Sequence, residues 1–185
     1  MRAVLCCLVL MLATVAAQAQ TPRIDRVEVT AKGIFETEGG KRANERGSAT
    51  GSYVEVTNPK LVSAMTRTNV AQNLEIGIQF TVHGSPKGTP VQLRIVHIFP
   101  TQGLRNPETS LTFYREEYFN TVVIGEPSYQ GYKLEREWEV VPGTWVLQIW
   151  HEDRKLADQS FTLAKVGADP AETKSRKRPR RRRDL

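Results

Sequence analysis

Alternation of apolar and polar residues is the feature that most constrains how this chain folds. Every second residue is apolar over residues 74–82, and the same pattern returns over residues 91–99 with His97 as its polar member. A period of two is that of a β-strand with one face in a core. Residues 84–88 hold two glycines and a proline, so we predict that these two strands pair as a hairpin.

A second region, residues 132–163, carries the same pattern. Residues 132–140 alternate except at Arg136, Val141-Pro142-Gly143 predicts a turn, and residues 144–151 alternate again. A further strand ends at Leu163. We therefore predict three consecutive antiparallel strands that carry the three tryptophans of the chain, Trp138, Trp145 and Trp150.

The remaining segments complete an all-β pattern. Strands are predicted over residues 23–35, 53–56, 61–66 and 111–124, with Asn58-Pro59 as a turn and residues 36–52 as a polar loop. No window sustains the 3.6-residue apolar period of a helix. We predict one domain, residues 20–167, folded as an antiparallel immunoglobulin-like β-sandwich of about eight or nine strands.

Several short motifs carry a family resemblance. They are Gly143-Thr144-Trp145 with Ile149, Leu156 and Phe161 behind it, Gly77-Ile78-Gln79-Phe80, and the strand at residues 23–35. Together they resemble the bacterial domain of unknown function family 3859 over most of residues 23–164. The resemblance implies a small secreted β protein of immunoglobulin-like fold, and it transfers no catalytic residue.

Residues 1–19 have the organisation of a signal peptide. Arg2 precedes an apolar run over residues 3–16, and Ala17-Gln18-Ala19 provides small residues for cleavage. The run is shorter than the ~20 apolar residues that span a bilayer. We expect a periplasmic or secreted protein with no transmembrane segment after cleavage. Both cysteines, Cys6 and Cys7, leave with this peptide, so the mature chain forms no disulfide.

Positive charge is concentrated in residues 168–185. Outside this tail the basic and acidic residues of positions 20–167 balance, although the whole chain has a net charge of +6. The basic residues of the tail are Lys174, Arg176, Lys177, Arg178, Arg180, Arg181, Arg182 and Arg183. We predict a disordered tail that binds anionic lipid or polymer surfaces. It has no aromatic residue to stack on bases, so sequence-specific nucleic-acid binding is not predicted. The alternative is a passive solvated end.

Residues that could carry catalysis are few. The spacing of the histidines matches no zinc motif, and no Gly-x-Ser-x-Gly is present. Glu116 with Glu117, and Glu137 with Glu139, are interpreted as carboxylates on solvated faces. We predict no metal and no cofactor. The alternative hypothesis is a secreted hydrolase or metal-dependent enzyme that uses His97 or His151.

Binding is the preferred hypothesis. Arg136 falls on an otherwise apolar face, so either it stacks on Trp138 and reaches water, or Arg136, Trp138 and Trp150 line a groove that binds an anion. The loops at residues 100–109 and 125–131 are the predicted contact surfaces for an unknown protein or envelope partner. The sequence thus predicts a noncatalytic extracytoplasmic binding module.

Overall fold

The computed structural model describes residues 21–45, 47–165 and 167. Within them lie eleven strands and one short 3₁₀ helix, Glu137–Glu139. The strands are β1 (Arg23–Asn44), β2 (Ser52–Ser63), β3 (Arg67–Asn69), β4 (Glu75–Ser85), β5 (Pro90–Ile98), β6 (Leu104–Arg105), β7 (Thr112–Phe113), β8 (Arg115–Val123), β9 (Pro127–Lys133), β10 (Gly143–His151) and β11 (Arg154–Ala164). The predicted signal peptide and basic tail lie outside the described residues.

Nine of these strands form two main sheets. The first has the order β2-β1-β4-β9, and the second has the order β3-β11-β10-β5-β8. Neighbours are antiparallel apart from the short parallel pair of β3 with β11. The prediction of an antiparallel all-β sandwich of this size is therefore confirmed. No helix in the described part of the chain is long and apolar enough to cross a membrane.

The core lies between the two sheets. Phe80 of the first sheet and Trp145 and Phe161 of the second are each at most 1% exposed. Burying one large apolar side chain contributes about 1.5–3 kcal/mol to stability, so the core stabilises a domain without disulfides. The indole Nε1 of Trp145 donates to the Val141 carbonyl at 3.0 Å, which satisfies its one polar atom.

The predicted hairpin between residues 74–82 and 91–99 is wrong. β4 pairs with β1 and β9, whereas β5 pairs with β10 and β8. The connection crosses from one sheet to the other, and its Gly88 amide donates to the Ile124 carbonyl at 2.9 Å. Alternation identifies the face that a strand buries, but it does not identify the neighbouring strand. Two strands bury their apolar faces equally well when they pair in one sheet and when they lie in opposite sheets across the core.

The predicted strand over residues 132–140 is also wrong. β9 ends at Lys133 and belongs to the first sheet, so it is not a neighbour of β10. A 3₁₀ turn follows because the Glu139 carboxylate accepts the backbone N–H of Arg136 at 2.6 Å. Trp138 therefore lies in this turn. The predicted pairing of the last two strands is confirmed, since β10 and β11 are antiparallel neighbours.

A long hairpin occupies much of the segment predicted as a polar loop. β1 pairs with β4 as far as Ile34 and then with β2 as far as Asn44. β2 is one strand through Asn58, which adopts a left-handed φ of 49° where a turn was predicted. We call residues 35–57 the hairpin arm. Only Phe35, Ser48 and Ala49 are buried among its described residues, so its composition is that of a loop although its backbone is paired.

Candidate functional site

The two main sheets share an open side, and the hairpin arm covers it. β9 is an edge strand of the first sheet and β8 is an edge strand of the second. A cavity of about 440 Å³ lies between these edges and the arm. Its polar lining includes Thr37, Ser48, Thr50, Ser52, Tyr53, Glu75, His97, Glu116, Tyr118, Asn120, Thr121, Tyr129, Gln130, Tyr132, Arg136 and Glu139.

Side chains alternate between the two faces of the edge strands β8 and β9, and polar side chains of both strands line this cavity. Tyr118 of β8 and Gln130 of β9 are buried, and the Gln130 amide donates to the Tyr118 hydroxyl across the gap. Tyr53 of the arm stacks on Tyr118 with ring centroids 5.8 Å apart and planes 9° from parallel. One hydrogen bond and one aromatic pair thus connect the two sheets and the arm.

Glu116 and His97 form a buried hydrogen-bonded pair in the site. They are directly opposite in the β5–β8 register, and Glu116 Oε1 lies 2.9 Å from His97 Nδ1. Glu116 Oε2 accepts the Ala49 amide of the arm tip at 2.7 Å, and Asn106 donates to the Ala49 carbonyl. The Glu116 carboxylate therefore fixes both the imidazole and the tip of the arm.

His97 Nε2 is the one buried side-chain nitrogen or oxygen that lacks a hydrogen-bond partner within the described residues. The residue is 2% exposed, and its ring meets Tyr118 and Tyr132 edge to face, with centroids 5.7 and 5.4 Å away. An ionised carboxylate only accepts, so the pairing with Glu116 assigns the proton to Nδ1. In the neutral ring, Nε2 then presents a lone pair.

A second buried carboxylate, Glu139, is 1% exposed and closes another wall of the cavity. Its oxygens accept the Tyr132 hydroxyl at 2.7 Å and the Arg136 amide at 2.6 Å. Burial raises the pKa of Glu139 above its ordinary value. Burial first, and then the Glu116 and Glu139 carboxylates, raise the pKa of Tyr132 well above its ordinary value. Tyr132 is therefore a protonated hydrogen-bond donor at neutral pH.

Glu75 holds the base of the arm. Its carboxylate accepts the Thr37 hydroxyl and the Tyr129 hydroxyl, each at 2.8 Å. Tyr129 lies across Gly77 and Gly131, where a Cβ on Gly131 would come within 2.1 Å of the phenol oxygen. These two glycines are opposite each other in the β4–β9 register, so their missing side chains create the space for the ring.

The structure brings together two of the three residues predicted to form a groove. The Arg136 guanidinium lies 5.9 Å from the centroid of Trp138, and Arg136 also lines the cavity. Trp150 is on the outward face of β10, with Arg94 5.0 Å from its ring centroid and Lys155 5.9 Å away. Anion binding by these residues stays a prediction.

The other predicted residues are dispersed. His151 is half-buried at the end of β10, opposite Arg154, and far along the strand from Leu147, the neighbour of His97. Within the described residues no group of three or more His, Cys, Asp or Glu side chains is placed to hold a metal ion. The 100–109 loop supplies Asn106 to the arm tip, and most of residues 125–131 belong to β9.

The interpretation of Glu116 and Glu139 as solvated carboxylates is wrong, because they are 5% and 1% exposed. A signal was present for Glu116. It has the same parity along β8 as the buried Tyr118 and Val122, so alternation places it on the inner face. Glu139 had no such signal, since its burial results from the 3₁₀ turn.

Comparison with known proteins assigns the family. The family model described as a domain of unknown function (DUF3859) matches residues 24–163. The chain belongs to this family. The DUF3859 domain is also similar to an immunoglobulin-like protein from Pseudomonas aeruginosa, with 22% sequence identity and a TM-score of 0.54. The match covers 80% of this chain and 98% of that one, and it shows an immunoglobulin-like fold. No curated protein matches the chain.

The DUF3859 match includes the two main sheets except their terminal residues Arg23 and Ala164, the hairpin arm, and every residue that lines the cavity. The resemblance found in the sequence is therefore confirmed. The DUF3859 domain ends before the basic tail, which lies outside the match.

Proposed function

We propose that this protein is a noncatalytic extracytoplasmic binding module that holds a small ligand in the cavity beneath the hairpin arm. The observation that carries the proposal is the unpartnered Nε2 of His97, a buried ring nitrogen beside a cavity of about 440 Å³. Buried polar atoms are nearly always hydrogen-bonded, so a polar atom without a partner at a cavity is suited to a ligand.

Fixed side chains support binding. Glu75, Glu116 and Glu139 each have both oxygens hydrogen-bonded within the protein. Such side chains lose little conformational freedom when a ligand enters, and less of the interaction energy is then spent on ordering. The cavity is also within the size range of small-molecule sites, about 300–1,000 Å³.

A second candidate, hydrolysis with His97 as the general base, has one observation in its favour. A carboxylate on Nδ1 with Nε2 free is the arrangement that orients a catalytic histidine. The phenol hydroxyls beside His97 favour binding over hydrolysis. Burial raises the pKa values of Tyr118 and Tyr132, so both phenols remain protonated. Hydrolysis of ester, glycoside or phosphomonoester substrates that His97→Ala or His151→Ala abolishes would support the enzyme.

The extracytoplasmic part of the proposal is supported by the sequence of residues 1–19, which has the organisation of a signal peptide. The eight basic residues of the tail would add attachment to an anionic envelope surface. A fusion of the full chain to alkaline phosphatase, which is active only outside the cytoplasm, tests the location. A full-chain fusion without phosphatase activity would contradict it.

Ligand binding is tested by adding the small-molecule fraction of a bacterial envelope extract to the isotope-labelled protein. We expect chemical shift changes at Tyr118, Gln130 and Tyr132. Gln130→Ala should weaken them, whereas Gln148→Ala, which changes the same residue type on the outward face of β10, should not. Changes confined to the outer faces, or none with any fraction, would contradict a cavity ligand.

A further inference from the structure

We propose that the cavity takes a neutral polyhydroxylated ligand, of mono- or disaccharide size, and that one of its hydroxyls donates to His97 Nε2. This inference rests on the proposed binding function and adds the chemical class of the ligand. We take the imidazole as neutral with its proton on Nδ1, so that Nε2 has a free lone pair and requires a donor. A hydroxyl is the donor that a compact uncharged molecule offers in several copies.

The three buried glutamates of the lining disfavour charged ligands. A cation finds no free carboxylate oxygen among the three buried glutamates, since the protein already donates to all six. An anion meets these same carboxylates in a buried region, where repulsion between like charges is strong. Three cations line the cavity. Arg42 is 3.0 Å from Glu135 and already paired. The Arg136 guanidinium lies 5.9 Å from the Trp138 ring centroid, and Lys133 is at the end of β9.

The uncharged part of the lining suits hydroxyl groups. Hydroxyls and amides from the arm and the edge strands line the cavity, among them Ser52, Asn120 and Gln130. Each such group both donates and accepts, as sugar hydroxyls do. The Tyr118 phenol already accepts from Gln130 and has a raised pKa because of burial, so its own proton remains for donation.

Glu116 connects the ligand contact to the arm. One oxygen orients His97 and the other holds the Ala49 amide of the arm tip. A donor on Nε2 polarises the imidazole and strengthens the pairing of Nδ1 with Glu116. Ligand binding and arm docking should therefore favour each other, and the arm should exchange its amide protons more slowly when the site is filled.

The experiment uses glucose, N-acetylglucosamine, maltose and trehalose as neutral probes, with glucosamine and glucuronate as cationic and anionic probes on the same ring. Long-range ¹H–¹⁵N spectra follow the imidazole nitrogens of the purified protein. We expect a neutral probe to shift His97 Nε2 and to bind at least about tenfold more tightly than either charged probe. The Ala49 amide should gain protection from exchange.

The matched variants are His97→Ala and His83→Ala. His83 is partly exposed and paired with Glu28 at 2.8 Å, so its loss should leave neutral-probe binding unchanged. His97→Ala should weaken it about 5- to 10-fold, the effect of one lost hydrogen bond. If His97→Ala fails to fold, the wild-type imidazole shifts and the ranking of the probes decide.

The outcomes separate this inference from the proposed function. Tighter binding of glucosamine or glucuronate in the cavity would overturn the neutral class and leave the binding function standing. A neutral probe that binds in the cavity without moving His97 Nε2 would also overturn the inference. Failure of all six probes to perturb the cavity overturns it too, while ligands from the envelope extract that bind there would keep the binding function.

Discussion

Glu116 Oε1 lies 2.9 Å from His97 Nδ1, with both side chains buried on adjacent strands. Its other oxygen accepts the Ala49 amide of the hairpin arm at 2.7 Å. Two strands of one sheet and the tip of the arm therefore depend on one carboxylate. This arrangement converts a local cross-strand pair into the point where the arm is fixed to the sandwich.

Replacing Glu116 by glutamine should destabilise the protein by about 1–3 kcal/mol, because the amide has one acceptor for two donors and leaves one of them unsatisfied. Urea denaturation measures the change. The adjacent Glu117, 48% exposed and paired with Arg94 and Arg115, provides the matched control. Glu117→Gln should cost less than about 0.5 kcal/mol. Equal effects of the two substitutions would show that Glu116 holds nothing in place.

Gly131→Ala should loosen the base of the arm. The new Cβ would come within 2.1 Å of the Tyr129 phenol oxygen, so the ring must move away from Glu75. We expect a loss of about 1–3 kcal/mol, typical of overpacking. Gly39→Ala is the control, because no atom lies within 4 Å of its Cβ position. Thermal unfolding compares the two, and a Gly131→Ala variant as stable as Gly39→Ala would contradict the packing of Tyr129.

The pH dependence of stability should report on Glu139. Burial raises its pKa in the folded protein above the ordinary value of 4.5. The folded state then binds the proton more tightly than the unfolded state, so this contribution is fully present below the unfolded pKa and is lost as pH rises through the folded pKa. Glu139→Gln should remove that loss. The measurement is the difference in urea midpoint between the two proteins, from about pH 4 to pH 8.

A constant difference between the two proteins over this range would contradict the raised pKa. Glu137→Gln, on the exposed side of the same 3₁₀ helix, is the control, and its urea midpoint should follow that of the wild type.

The basic tail should bind anionic membranes. Each Lys or Arg near such a surface contributes about 1 kcal/mol, so even partial engagement of the eight gives several kcal/mol at low salt. Cosedimentation with phosphatidylglycerol vesicles compares the mature protein with a chain that ends at Gly167. Binding should fall at least about tenfold on truncation and weaken as salt rises.

Vesicles of phosphatidylcholine alone are the control for the tail, and neither protein should bind them. A tail of equal length with its eight basic residues replaced by serine separates charge from length. If that tail binds anionic vesicles as well as the natural one does, the basic residues are a passive solvated end.

The local alternation of apolar and polar residues was sufficient to predict the all-β class of fold. The alternation around Ile76 and Phe80, and again around Leu93 and Ile95, follows from the geometry of a strand, in which successive side chains point to opposite faces. That geometry is a property of a few neighbouring residues. It identified β4, β5, β10 and β11, the face that each of them buries, and the pairing of β10 with β11. Short motifs along the chain carried the family resemblance.

The tertiary structure decided which strands pair and which residues the hairpin arm covers. β4 and β5 lie in different sheets because burial constrains only which face is covered, and many strand orders cover the same faces. The arm was missed because a hairpin that buries little has the composition of a loop.

The cavity follows from the arm. Glu116, Glu139 and His97 are a site because segments distant in sequence remove them from water together, and each polar group is stable there only through partners that the others supply. The sequence alone determined that β-strands with one buried face would form. Only the folded chain decided which carboxylates are buried and which nitrogen is left free, because both depend on contacts between residues far apart in the chain.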